Sequence, residues 1–102
     1  MSYRISFEDL PWVQCGEGIR HKVHRRDGLV LRLVEYDSTM PPHWCDRGHS
    51  GTILAGRLRI EFESETVVFQ DGDGVDIPSG NAHRHRAEVL SDTVTAIFVE
   101  PE

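Results

Sequence analysis

Residues 41–49 read Pro-Pro-His-Trp-Cys-Asp-Arg-Gly-His, and a second cluster, His-Arg-His, follows at residues 83–85. These two short segments hold four of the six histidines and one of the two cysteines in the chain. In an extended chain, residues two apart point to the same face, so we expect His43 and Cys45 to face the same way. Imidazole and thiolate groups are common metal ligands in proteins. The spacing therefore predicts a metal site that is built on β-strands.

The sequence around these clusters is typical of an all-β protein. Residues 57–62 read Arg-Leu-Arg-Ile-Glu-Phe, and this alternation of charged and apolar side chains predicts a strand with one face in a core. Asp27-Gly28 lies between two strand-like runs and predicts a hairpin turn. Residues 29–36 are apolar on nearly both faces, which predicts a central strand, and a further strand is predicted over residues 83–89. Short strands separated by frequent turns, with no long helical pattern, indicate a β-sandwich or β-barrel.

Length and charge limit the classes of function. A chain of 102 residues with a net charge of −6 is the size of one domain, and the negative charge argues against nucleic acid or an anionic membrane as a partner. No apolar run approaches the roughly 20 residues that a membrane helix needs. The first residues lack the apolar core of an export signal. We therefore expect a single domain over residues 1–102, located in the cytoplasm with reduced thiols; a Cys15–Cys45 disulfide is the less favoured alternative.

Two spaced patterns of histidine, glycine and proline resemble the two signatures of the cupin family. The first signature runs Gly, five residues, His-x-His, three or four residues, Glu, six residues, Gly. His43 falls on its first histidine and Gly56 on its closing glycine. Three positions depart from it: Asp37 replaces the leading glycine, Cys45 the second histidine and His49 the glutamate.

The second cupin signature runs Gly, five residues, Pro-x-Gly, two residues, His, three residues, Asn. Gly72, Pro78, Gly80 and His83 match it, and Ala87 stands in the asparagine position. The resemblance implies the cupin double-stranded β-helix, a jelly-roll barrel. Its core would cover about residues 29–100, preceded by N-terminal strands within residues 1–28.

The resemblance also implies a metal site inside the barrel, in which the matching positions supply the ligands. This set is His43, Cys45, His49 and His83. If Cys45 binds as a thiolate, the set favours zinc, copper or nickel, and if it does not, three histidines favour iron or manganese. Cys45 has the alternative of lining or packing the barrel, and His85 is expected to line the pocket or support a ligand rather than bind the metal.

The resemblance does not name a reaction, because cupins include enzymes and non-catalytic proteins. One hypothesis is a metal-dependent enzyme, an oxygenase or isomerase, acting on a small molecule. The alternatives are a non-catalytic protein that binds a metal or a small molecule, such as a sensor, and a purely structural barrel that associates with itself or with a partner. No catalytic residue can be assigned; Tyr36 and His85 are the nearest candidates for acid–base chemistry, and no residues are singled out for an organic cofactor. A homodimer is expected, since small barrels have edge strands to cover and residues 3–13 are suited to pairing across subunits.

Overall fold

A computed structural model describes residues 3–102, and in this part of the chain nine β-strands form two antiparallel sheets. The strands are β1 (Val13–Gly16), β2 (Ile19–Arg26), β3 (Leu29–Asp37), β4 (His49–Ala55), β5 (Arg57–Phe62), β6 (Thr66–Gln70), β7 (Gly74–Ile77), β8 (His85–Val89) and β9 (Thr93–Pro101). Two short 3-10 helices lie at Phe7–Asp9 and Asn81–His83. The all-β prediction is confirmed.

The larger sheet has the strand order β1-β2-β3-β9-β4-β7, and the smaller sheet has the order β6-β5-β8. The last strand, β9, therefore lies in the middle of the larger sheet between β3 and β4. It pairs with β3 along its whole length, from Leu29 opposite Pro101 to Asp37 opposite Thr93. The predicted central position of β3 is confirmed, since β2 and β9 flank it.

The core lies between the two sheets and follows the alternation of the strands. On β5, Leu58 and Ile60 are buried while the arginines beside them are exposed. On β9, Val94, Ala96 and Phe98 are buried at every second position. Full burial of a valine, leucine, isoleucine or phenylalanine side chain contributes about 1.5–3 kcal/mol to the free energy of unfolding.

The hairpin between β2 and β3 forms as the sequence predicts. Asp27 and Gly28 both have positive φ, 51° and 80°, and they connect Arg26 directly to its partner Leu29. Two positive φ angles in a two-residue loop match the right-handed twist of the flanking strands.

Strand β8 begins two residues later than the sequence predicts. Gly80 has φ 125° and leads into the 3-10 helix Asn81–His83, so the strand starts at His85. The prediction of a strand from residue 83 is wrong at this end, because the turn after Gly80 takes up residues that the alternation assigned to the strand.

Among residues 3–102, no helix has the length and apolarity to cross a membrane.

We expect Gly51→Ala to destabilise the protein, because β4 and β9 approach each other closely at this residue. A Cβ at Gly51 would overlap the carbonyl oxygen of Ile97 and lie 2.9 Å from its carbonyl carbon. Overpacking of this kind lowers the free energy of unfolding by about 1–3 kcal/mol. Urea denaturation of the variant measures the loss.

Gly74→Ala is the matched control on the neighbouring strand, since a Cβ there would have only the Gly51 carbonyl oxygen near it, at 3.9 Å. We expect this control to change the free energy of unfolding by less than about 0.5 kcal/mol. Equal stability of the two variants would contradict the close approach of β4 and β9.

Candidate functional site

A cavity of about 390 Å³ lies between the larger sheet and strand β8. Its lining combines apolar side chains with an unusual concentration of potential metal ligands. Four of the six histidines and both cysteines of the chain line it: His21, His43, His49, His85, Cys15 and Cys45. Both cysteines are free thiols.

His49 lies at the start of β4 and is held by a carboxylate from the other end of the chain. Its Nδ1 lies 2.7 Å from Oε2 of Glu100 on β9. Glu100 is 3% exposed. Burial alone would raise the pKa of the Glu100 carboxyl, but hydrogen bonds and charges from His49 and Arg32 hold that pKa below its usual value. The ionised carboxylate accepts, so Nδ1 of His49 donates; in the neutral form of the ring, Nε2 then carries the free lone pair.

His85 lies at the start of β8 and is 4% exposed. Its backbone exchanges two hydrogen bonds with Cys45, at 2.8 and 2.9 Å, which places the two side chains next to each other. Its Nδ1 lies 3.0 Å from the carbonyl oxygen of His83, so this nitrogen donates. Burial lowers the pKa of His85, against the raising effect of that carbonyl, and the nearby His49 and His43 lower it further. His85 is therefore a neutral imidazole with an unprotonated Nε2.

The rings of His49 and His85 are close enough to share one metal ion. Their centroids lie 5.4 Å apart, with the ring planes at 75°. Two imidazoles that bind one metal through Nε2 at about 2.0–2.1 Å have centroids about 5 Å apart. Among residues 3–102, however, no three histidine, cysteine, aspartate or glutamate side chains stand close enough together to hold a metal ion as placed. A metal ion bound by this pair would need a third ligand from a side chain that turns toward it.

His43 and Cys45 are further potential ligands in the wall of the same cavity. Both line the cavity, as their shared face predicts. His43 is exposed and Cys45 is half-buried, with its Sγ 3.4 Å from the backbone nitrogen of Arg47. Three of the four predicted ligands, those of the first signature, thus line one cavity.

The fourth predicted ligand, His83, lies elsewhere. It is exposed on the 3-10 helix before β8 and does not line the cavity. Its backbone carbonyl, rather than its ring, takes part in the site by accepting from His85. The ring that faces the cavity from this segment belongs to His85, because β8 begins there and places residue 85 on the inward face. Ligation by His83 stays a prediction.

Sequence analysis missed a partly buried polar cluster around Arg32. This guanidinium donates from Nη1 to Oε2 of Glu100 at 3.2 Å and from Nε to Nδ1 of His21 at 2.8 Å. Its Nη2 lies 3.8 Å from Sγ of Cys15. The signal was present in the alternation, since Arg32 follows Val30 on the inward face of β3 and Glu100 follows Phe98 on that of β9. His21 is half-buried on the inward face of β2, which extends the cavity wall.

Tyr36 was a candidate for acid–base chemistry, and the structure limits that role. Burial, only partly opposed by the Arg32 guanidinium, raises the pKa of its phenol to about 12. The phenol is therefore protonated at neutral pH. Glu100 is engaged by His49 and Arg32, so neither residue is a free general base.

The lining carries more positive than negative charge, although the chain as a whole is negative. Four arginines and two glutamates line the cavity: Arg25, Arg32, Arg47, Arg86, Glu100 and Glu102. Three of the arginines form ion pairs, with Glu102, Glu100 and Glu61. The Arg47 guanidinium makes no ion pair or hydrogen bond to residues 3–102.

Comparisons with known proteins agree with this architecture. A family model, Cupin_2, described as a cupin domain, matches residues 29–99. No curated protein matches the chain significantly. The solved structures that resemble it include KdgF from Halomonas sp., with 22% identity and a TM-score of 0.73 over 93% of this chain and 91% of that one.

Two further structures share the fold. The polyketide cyclase RemF from Streptomyces resistomycificus has 21% identity and a TM-score of 0.76 over 99% of this chain and 80% of that one. The protein FeII HppE has 12% identity and a TM-score of 0.75 over 94% of this chain and 58% of that one. Likeness at these identities establishes the fold.

Proposed function

The chain belongs to the cupin family, and from this premise we propose that it binds a divalent transition metal in its cavity and a small molecule beside the metal. His49 and His85 are the proposed central ligands, and His43 and Cys45 complete the set. A bound metal supplies Lewis-acid polarisation of a ligand. The observation that carries the proposal is that Nδ1 of each central imidazole faces an oxygen acceptor, which in the neutral rings leaves each Nε2 free to bind a metal. Metal-binding histidines are typically held in this way.

The chemistry of the donor atoms narrows the choice of metal ion. With the Cys45 thiolate the set favours zinc, and nickel and copper also bind such ligands. With histidines alone it suits iron or manganese, and one structural relative, FeII HppE, is named for its iron.

We also propose that the chain is a single domain over residues 1–102 and that it is located in the cytoplasm. A reducing compartment is supported by the two cysteines, which are free thiols although they line the same cavity.

Replacing His85 and His83 in turn separates the ligand suggested by the structure from the one suggested by the motif. We expect His85→Gln to weaken zinc binding by more than about 100-fold, because losing a direct ligand exceeds the ~10–100-fold cost of losing an outer partner. His83→Gln leaves the carbonyl that His85 uses, so its zinc affinity should match the wild type. Competition with a chromophoric chelator measures both affinities.

The converse result, with zinc binding lost in His83→Gln and kept in His85→Gln, would show that the motif histidine is the ligand. A wild-type protein that binds no divalent metal would refute the proposed function.

The unpaired arginine at the cavity supports an anionic small molecule as the ligand. Arg47 lines the same cavity as Cys45 and His49, so a small molecule in that cavity can present a negative group to its guanidinium. An exposed ion pair of this kind contributes up to about 1 kcal/mol. The proposed ligand class is a small carboxylate.

We expect the metal-free protein to bind malonate, a small dicarboxylate, more tightly than the uncharged malonamide. Arg47→Gln should weaken malonate binding by about fivefold, which corresponds to about 1 kcal/mol. Arg57→Gln is the matched control, since Arg57 is exposed on β5 and does not line the cavity. Amide chemical shifts during NMR titration measure the affinities, and equal binding of malonate and malonamide would rule out an anionic ligand.

A second candidate function, a non-catalytic binding protein, is favoured because His49 and His85 are assigned to the metal and neither Glu100 nor Tyr36 is available as a general base. Glu100 is occupied by two partners and the Tyr36 phenol stays protonated. A binding protein needs only the metal, the cavity and Arg47. Turnover of an anionic substrate by metal-loaded protein would exclude this alternative.

We also propose that the chain forms a homodimer through the outer face of the larger sheet. An apolar stripe lies at the centre of that face, on β3 and β9, and consists of Leu29, Leu31, Leu33, Ile97 and Val99. Leu29 is 47% exposed and Val99 is 44% exposed. A twofold axis parallel to the strands would pack the stripe of one subunit against the stripe of the other. Because β2 and β4 flank the stripe, the basic residues of β2 would then face the hydroxyl-bearing β4 of the partner and not the partner's β2. The segment Phe7–Trp12 packs on β2 of its own chain, where Lys22 donates to the Phe7 carbonyl.

Leu31→Glu places a charge in the centre of the stripe, so we expect it to convert the dimer into a monomer. Val68→Glu is the control, because Val68 is 45% exposed on the smaller sheet, away from the stripe. Light scattering after size-exclusion chromatography gives the masses. A monomeric wild type, or a dimer that persists in Leu31→Glu, would contradict this interface.

A further inference from the structure

The chain lacks the glutamate of the first cupin signature, and the structure brings a carboxylate to the same place by another route. His49 occupies the glutamate position. Glu100, 51 residues away in sequence, lies directly behind it on β9, and its Oε2 is 2.7 Å from Nδ1 of His49. The carboxylate is thus one imidazole ring further from the proposed metal than a ligand would be.

We propose that Glu100 is a positioning residue that keeps His49 in the tautomer with its proton on Nδ1 and its free lone pair on Nε2. The neutral imidazole has two tautomers, and the acceptor at one nitrogen selects between them. The carboxylate also gives the ring more negative character, which strengthens it as a ligand. This inference rests on the proposed function in one respect, namely that a metal is what Nε2 of His49 would bind.

The carboxylate is itself held in one orientation. Arg32 donates to the same Oε2, at 3.2 Å, so this single oxygen receives both partners. Arg32 is fixed in turn by Nδ1 of His21, which accepts from its Nε at 2.8 Å. The resulting chain of hydrogen bonds runs from β2 through β3 and β9 to β4, across four neighbouring strands of the larger sheet.

Packing fixes the ring of His49 from its other side. The rings of Phe98 and His49 have centroids 5.2 Å apart and planes inclined at 35°. Phe98 is buried on β9, two residues before Glu100, so one strand supplies both the acceptor and the apolar surface. The imidazole is therefore held by a hydrogen bond at Nδ1 and by contact along its face.

A purely structural ion pair between Arg32 and Glu100 is the alternative explanation. Such a pair would need no particular tautomer of His49. It would also predict that loss of Arg32 and loss of Glu100 affect metal binding in the same way. The two explanations differ in what happens at the His49 ring.

The test begins with the metal-free wild-type protein and needs no variant. Nitrogen-15 NMR of the imidazole side chains, with His49 assigned through His49→Gln, reports which ring nitrogen carries the proton. We expect a protonated Nδ1 and an unprotonated Nε2 at a pH where the ring is neutral. A proton on Nε2 would overturn the proposal.

Glu100→Gln then removes the charge while keeping the shape of the side chain. We expect the single tautomer of His49 to become a mixture, because the carboxamide can donate as well as accept, and zinc affinity to fall about 10–100-fold. Arg32→Gln keeps the carboxylate–imidazole bond, so His49 should retain the Nδ1–H form and zinc affinity should fall less than in Glu100→Gln.

The possible results separate the two proposals. Unchanged tautomer and zinc affinity in Glu100→Gln, or equal losses of zinc affinity in Glu100→Gln and Arg32→Gln, would show that the carboxylate has only a structural role. A wild type that binds no zinc would refute the proposed function, and the tautomer of His49 would still decide the role of Glu100.

Discussion

The pairing of the last strand with two strands distant in sequence is the constraint on which the rest of the structure depends. Strand β9 lies between β3 and β4 and is paired with both. Such long-range pairing carries a loop-closure entropy cost that the whole sheet must offset together. Its register puts Phe98 and Glu100 on the inward face. This one placement accounts for the contacts of the His49 ring with Phe98 and Glu100, and for the carboxylate in the cavity wall.

The buried charges of the cavity wall are hard to explain by stability alone. Removing Arg32 and Glu100 from water costs several kcal/mol per ion, and replacing a buried ion pair by apolar groups is often neutral or stabilising. Within residues 3–102, every buried polar side-chain atom has a hydrogen-bond partner. The pair is therefore tolerated because it is fully bonded. The pair lies behind His49, and the proposed role of Glu100 in positioning that ring gives a reason for the buried charges.

Local patterns were sufficient to predict much of the fold. The Asp27-Gly28 turn needs positive φ at two positions, and this requirement can be seen in the two residues themselves. The alternation on β5 likewise requires no knowledge of distant residues. The same kind of local reasoning misplaced the start of β8. Alternation assigned His83 to the strand, whereas the turn after Gly80 delays the strand to His85.

By itself, the sequence determined the all-β class, the cupin resemblance and the shared face of His43 and Cys45, because each depends on local patterns or on spacings counted along the chain. Only the tertiary structure decided which side chains meet. It placed His85 beside Cys45 and brought Glu100 and Arg32 behind His49, since those neighbours come from strands far apart in the chain. Alternation shows that a side chain points inward, but strand order and register decide what it contacts there, and both are set by the cooperative pairing of the whole sheet.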